Sequence, residues 1–128
     1  MPADEFRLLL AHEPDIGDEL GGQRVGLQLS GHSHGGQVVL PGVGAPLLPP
    51  LGRRYLRGLC QAPTHPVYTS RGLGGVPPYL RLNCPPEVAV LTLTTGEPAA
   101  QACADRQGSS CWRGRAGRAV QRSRRRRA

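Results

Sequence analysis

Apolar residues occur in short runs, and each run is closed by a polar or glycine-rich stretch. Residues 6–11 (FRLLLA) read as a first strand, halted at His12. Residues 25–30 (VGLQLS) read as a second, ending at Gly31, and 37–40 (QVVL) as a short third. In PVYTSRG, residues 66–72, Val67, Tyr68 and Thr69 favour the extended state. LRLN (80–83) and EVAVLTL (87–93) are two more strands. The last carries Val88, Val90, Leu91 and Leu93 around Ala89 and Thr92. One helix is expected. Pro14 is tolerated in its first turn, Asp15, Asp18 and Glu19 lie near the positive end of its dipole, and Gly21 and Gly22 close it. Residues 41–58, rich in Pro and Gly, read as a long shaped loop.

After Thr95 the pattern ends. Residues 96–128 have little apolar content and a closing Arg run, and read as a disordered tail behind one domain at 1–95. With 18 glycines and 13 prolines in 128 residues, the folded part is loop-rich with short strands. Aromatics are only 4%, so its core rests on Leu and Val. No run approaches the 18 or so apolar residues of a membrane span. FRLLLA is too short and, at Arg7, too charged for a signal peptide. A cytoplasmic location is expected, with Cys60, Cys84, Cys103 and Cys111 as free thiols and Cys84 packed as a small hydrophobe.

Charge divides the chain. Residues 1–95 hold seven Arg and seven acids, whereas 96–128 hold nine Arg against Glu97 and Asp105. All 16 basic residues are Arg, which points to coding bias more than to a nucleic-acid partner. A small Arg-rich nucleic-acid-binding protein acting through 96–128 is the alternative function class. Against it stand the neutral first part and the lack of stacking aromatics near the Arg run.

Three of the four histidines directly follow apolar strands: His12 after LLLA, and His32 and His34 after LQLSG. Ligands bind just past the carboxyl ends of strands in open α/β sheets. If the two strands are neighbours, the three imidazoles converge, and imidazole suits Zn, Mn, Fe, Ni or Cu. Gly31, Gly35 and Gly36 let the backbone take the tight path this requires. His65, between prolines, reads as a plain loop residue.

LLLAHEPD, LQLSGHSHGGQ, LPPLGRRYLRGL, VYTSRGLG and CPPEVAVLTL together resemble the carboxyl-terminal half of calcineurin-like metallophosphoesterases, over residues 4 to about 94. The nearest branch is the bacterial one of membrane-associated phosphohydrolases acting on lipid-linked or nucleotide-diphosphate substrates. The resemblance implies an α/β fold, part of a four-layer α/β/β/α sandwich with a mixed sheet and few helices. It implies two divalent metal ions (Mn, Zn or Fe) and phosphoester hydrolysis, with peripheral membrane association. His12 and His32 would bind one metal and His34 the other. Arg53, Arg54 and Arg71 would line the phosphate pocket, to which the forked guanidinium is suited. Asp15 and Glu13 read as helix-start residues.

The family's amino-terminal motifs, D-x-H, G-D with its bridging carboxylate, and G-N-H, are missing; the one Gly-Asp pair, Gly17-Asp18, lies in the expected helix. Three imidazoles alone hold at most one weakly bound metal. The expected history is a truncated or mis-started gene giving a chain inactive alone. A separately encoded first half, completing the site as a second subunit, is the alternative.

Overall fold

The structure, a computed structural model, describes residues 5–94 and the backbone of Ala119–Ser123. β1 (Leu8–Leu10), β2 (Leu27–Ser30), β3 (Gly58–Gln61) and β4 (Pro66–Thr69) form one mixed sheet in the order β1-β2-β4-β3. β1, β2 and β4 run parallel, and β3 runs antiparallel to β4. β5 (Ala89–Leu93) pairs antiparallel with β6 (Ala119–Ser123) in a separate two-stranded sheet. Apart from β6, the tail expected to be disordered lies outside the described residues. Among those residues no segment is α-helical; two 3-10 turns, Pro14–Asp18 and His34–Gly36, are the helical elements. This mixed sheet fits a part of an α/β metallophosphoesterase fold.

The expected helix contracts to the five residues Pro14–Asp18, with Pro at its start and the Glu19 N–H closing on the Ile16 carbonyl at 2.9 Å. It lies flat on β2 and β4 because Gly17 has no side chain. A Cβ there would meet Gln28 Oε1 at 3.0 Å, Val67 Cγ2 at 3.1 Å and the Ala62 Cβ at 3.3 Å. Val67, Ala62 and Tyr55 form the buried cluster on this side.

Two expected strands, 37–40 and 80–83, are instead one parallel bridge, Val38 to Leu82, with hydrogen bonds Val39 N–H to the Leu82 carbonyl (2.9 Å) and Leu82 N–H to the Gln37 carbonyl (3.0 Å). The left-handed backbone at Gln37, φ 48°, stops a regular strand there. β3 was hidden at the end of the expected long loop, because GLCQ starts on a glycine at φ 72° and is too short to show alternation. It is held as an edge by its register with β4, Leu59 facing Tyr68 and Cys60 facing Val67. At the other edge, among the described residues, β1 pairs with β2 alone, and Leu8 and Leu10 stay 47% and 74% exposed.

The sheet interior holds a polar knot. The Gln28 side chain, fully buried, donates from Nε2 to the Pro14 carbonyl at 3.1 Å and to Ser30 Oγ at 2.9 Å. Its Oε1 lies 3.0 Å from His65 Nε2. An amide oxygen only accepts, so His65 carries its proton on Nε2 and takes a hydrogen bond at Nδ1 from Thr64 Oγ1, 2.9 Å away. His65 lies in a loop as expected, but it is buried and structural there. Satisfied in this way, the amide and imidazole tie the Pro14–Asp18 turn, β2 and the start of β4 at little desolvation cost.

Burial lowers the pKa of His65. Below about pH 6.5 the unfolded chain binds a proton that the folded chain refuses. This contribution to stability is full above that pH and declines as pH falls, with a slope approaching about 1.4 kcal/mol per pH unit. Urea unfolding at pH 8, 6 and 5 should show the decline. In His65→Gln, less stable at pH 8, the decline should be shallower.

Candidate metal centre

Because β1 and β2 are parallel neighbours, the loops leaving their carboxyl ends meet; the Gly31 N–H donates to the His12 carbonyl at 3.1 Å. His12 Nε2 and His32 Nδ1 stand 3.1 Å apart, with ring centroids 4.8 Å apart and the planes 61° to each other. His32 Nε2 is 2.9 Å from the Pro50 carbonyl, an acceptor, so it carries the ring proton and Nδ1 is left with its lone pair toward His12. Two imidazole nitrogens each about 2.0–2.1 Å from one cation would sit about 2.9 Å apart at a right angle and about 3.3 Å apart at the tetrahedral angle. The spacing of this pair fits a shared metal ion. The second ring nitrogen of His32 is held by a backbone carbonyl, as metal-ligating histidines usually are.

His34 is not gathered with them. It opens the second 3-10 turn at φ 49°, and among the described residues no group of three or more His, Cys, Asp or Glu is placed to hold a metal ion. The pair therefore fits part of a ligand set.

The other residues of the histidine loop fasten it. Ser33 Oγ donates to the Leu56 carbonyl at 2.6 Å and accepts from the Gly35 N–H at 3.2 Å. The Gln37 amide clamps Val76 from both sides, Nε2 to its carbonyl at 2.7 Å and Oε1 from its N–H at 2.9 Å. Cys84, buried as expected, also acts as a donor: its thiol meets the His34 and Gly35 carbonyls at 3.3 and 3.2 Å. The Arg81 guanidinium reaches the carbonyls of His34 (3.2 Å), Cys84 (3.2 Å) and Arg71 (2.7 Å), binding three segments together. Gly35, at φ 65°, lets Arg71 cross close by.

The expected phosphate-lining arginines are placed differently from one another. Arg53 has an exposed side chain, while its N–H donates to Asp15 Oδ2 at 2.9 Å. Arg54 is ion-paired with Asp18, and its N–H donates to Asp15 Oδ1 at 3.1 Å. Arg71 Nε lies 2.6 Å from Glu87 Oε2, and Tyr68 donates its hydroxyl to the same carboxylate. The Tyr55 N–H completes the set on Asp15 at 3.1 Å, and its hydroxyl donates to Asp18 at 2.6 Å. Burial first, then that hydrogen bond and the Asp18 charge, push the Tyr55 pKa up from its ordinary value, so it remains a donor. Asp15, expected at a helix start, is there, but its carboxylate serves residues 53–55. The roles of Asp15, Gln28, Arg81 and Glu87 were not visible in the sequence, since each depends on partners distant along the chain.

The chain is 44% identical over 88 residues to the uncharacterized metallophosphoesterase YkuE of Bacillus subtilis, covering 69% of this chain and 31% of that one. It is 45% identical over 96 residues to the phosphodiesterase YaeI of Escherichia coli, covering 72% and 35%. It is 42% identical over 90 residues to an uncharacterized metallophosphoesterase of Helicobacter pylori, covering 67% and 23%. The chain thus spans about a third or less of the length of these curated relatives. No family model matches it, and no solved structure does. None of the three names concerns nucleic-acid binding.

Gly35→Ala should destabilise the fold by about 1–3 kcal/mol, through left-handed strain and overpacking together. The added Cβ would stand 2.3 Å from Arg71 Cγ and 2.9 Å from Cys84 Sγ. At Gly42, φ 76°, a Cβ meets nothing within 4 Å, so Gly42→Ala should cost less. Urea midpoints at unchanged slope measure both.

Proposed function

We propose that this chain, which resembles the calcineurin-like metallophosphoesterases and is 42–45% identical to curated proteins named metallophosphoesterase or phosphodiesterase, forms part of a metal-dependent phosphoester hydrolase site in which His12 and His32 hold one divalent ion and His34 a second. The observation that carries this is the meeting of His12 Nε2 and His32 Nδ1 at 3.1 Å, at the carboxyl ends of adjacent parallel strands. Mn, Zn or Fe suits imidazole donors. Bound metal ions in such a site ionise water near neutral pH and neutralise phosphoryl oxygens.

The residues of this chain orient and hold. Pro50 fixes the His32 ring, Ser33 and Gln37 fix the loop, and Arg81 and Cys84 hold the backbone of His34. Arg53, with its backbone pinned and its side chain exposed, is the arginine best available to a phosphate, while Arg54 and Arg71 are committed to Asp18 and Glu87. The substrate is a phosphoester; the phosphodiesterase name of the E. coli relative supports a diester. The finer reading, a lipid-linked or nucleotide-diphosphate substrate met at a membrane surface, rests on the branch resemblance. No helix among the described residues is long and apolar enough to cross a membrane.

The bridging carboxylate of the family has no counterpart in a G-D motif after a strand in this sequence. The resemblance implies that a first half carrying D-x-H, G-D and G-N-H supplies the rest of the ligand set; a separate chain carrying it is a candidate partner. The open β1 edge with exposed Leu8 and Leu10 supports a partner there.

Purified chain should hydrolyse bis-p-nitrophenyl phosphate feebly or not at all with Mn²⁺. Turnover should appear when a separately expressed first half is added, and His32→Ala should abolish it. Robust turnover by the chain alone would overturn the need for a partner. Turnover of the mixture insensitive to His32→Ala would overturn the metal role.

A further inference from the structure

The segment that supplies the Pro50 carbonyl to His32 is not part of any strand or helix; Asp15 holds it. Its backbone N–H donates to the Leu51 carbonyl at 3.0 Å. Its carboxylate accepts the N–H groups of Arg53, Arg54 and Tyr55 at 2.9 to 3.2 Å. Asp15 thus grips residues on both sides of Gly52, beginning at Leu51, one residue after the Pro50 carbonyl that meets His32 Nε2. Asp15 is buried and lies three residues after His12, so the same turn that presents His12 anchors the strap that orients His32. We infer that Asp15 is a positioning residue: by gathering the N–H groups of residues 53–55 it fixes the Pro50 carbonyl against His32 Nε2 and leaves His32 Nδ1 bare toward His12.

The physical reason is tautomer selection. Free neutral imidazole can carry its proton on either nitrogen, and the acceptor offered to one nitrogen decides which. A proton on Nδ1 would block the atom that faces His12. A flexible 50–55 segment would let the carbonyl drift and the proton redistribute. A carboxylate is suited to the grip because an ionised acceptor takes several N–H bonds at once, each stronger than a neutral one.

The inference rests on the metal reading above, but its primary readout does not need metal. In the full metal-free chain at pH 8, ¹⁵N-histidine NMR reports the tautomer of each ring, with His32 assigned from the spectrum of His32→Gln. Wild type should show His32 protonated on Nε2. His65, also protonated on Nε2 through Gln28, reports on the fold. In Asp15→Asn, His32 should become a tautomer mixture while the His65 signal stays. Zn²⁺ affinity should fall about 10–100-fold, the range for losing an outer-shell partner. If Asp15→Asn also loses the His65 signal, Arg53→Pro, which deletes one N–H and spares the carboxylate, decides by the same criteria. A His32 tautomer unchanged beside an intact His65 signal overturns the inference, as does a mixture with unaltered Zn²⁺ affinity. A wild-type chain with the expected tautomer that binds no measurable Zn²⁺ even with the first half added would sink the metal reading and leave the positioning role standing.

Discussion

Three residues with side chains, His32, His34 and Gln37, occupy left-handed backbone within six positions, at φ of 63°, 49° and 48°. Each such residue costs on the order of 1–3 kcal/mol and persists only where its surroundings over-determine it. Gly35 and Gly36 share the burden at φ of 65° and 88°. No ladder can satisfy backbone groups on such a path, so other groups must. Ser33, Arg81 and Cys84 do so, Gln37 ties the loop to Val76, and the segments around Leu56, Val76 and Arg71 are drawn to the loop in consequence. Much of the irregular half of the fold is the scaffold that keeps this one loop strained.

The carboxylates near the site show the same division of labour. Asp15 is saturated by backbone N–H groups, Asp18 by Tyr55 and Arg54, and Glu87 by Tyr68 and Arg71. All three carboxylates are engaged by donors within the chain.

The sequence made the parallel strands readable because buried parallel strands are short apolar runs, and LLL and LQLS stop at histidine and glycine where the ladder stops. It also made the meeting of His12 and His32 readable, since both follow such strands. The mixed sheet agrees with the expected fold class, and the relatives agree with the family resemblance. β3 was not readable: four residues beginning on a glycine carry no period. Nor was the burial of His65, because its partner Gln28 is 37 positions away and prolines on either side imitate an exposed turn. The separation of His34 from the pair depends on a left-handed φ that adjacent glycines permit but do not dictate.

The fasteners of the histidine loop lie far along the chain: Leu56 is 23 positions from Ser33, Val76 is 39 from Gln37, and Cys84 is 50 from His34. At synthesis rates of about 5–20 residues per second, Cys84 is made roughly 3–10 seconds after His34. Until then the loop has its residues but not its shape, and closing such long separations is the slow part of folding. The loop around His34 is thus among the last features to be set and, by the same token, among the first to be lost by partial opening from the later segments. Nascent chain that has displayed GHSHGG has not yet built the geometry those residues encode.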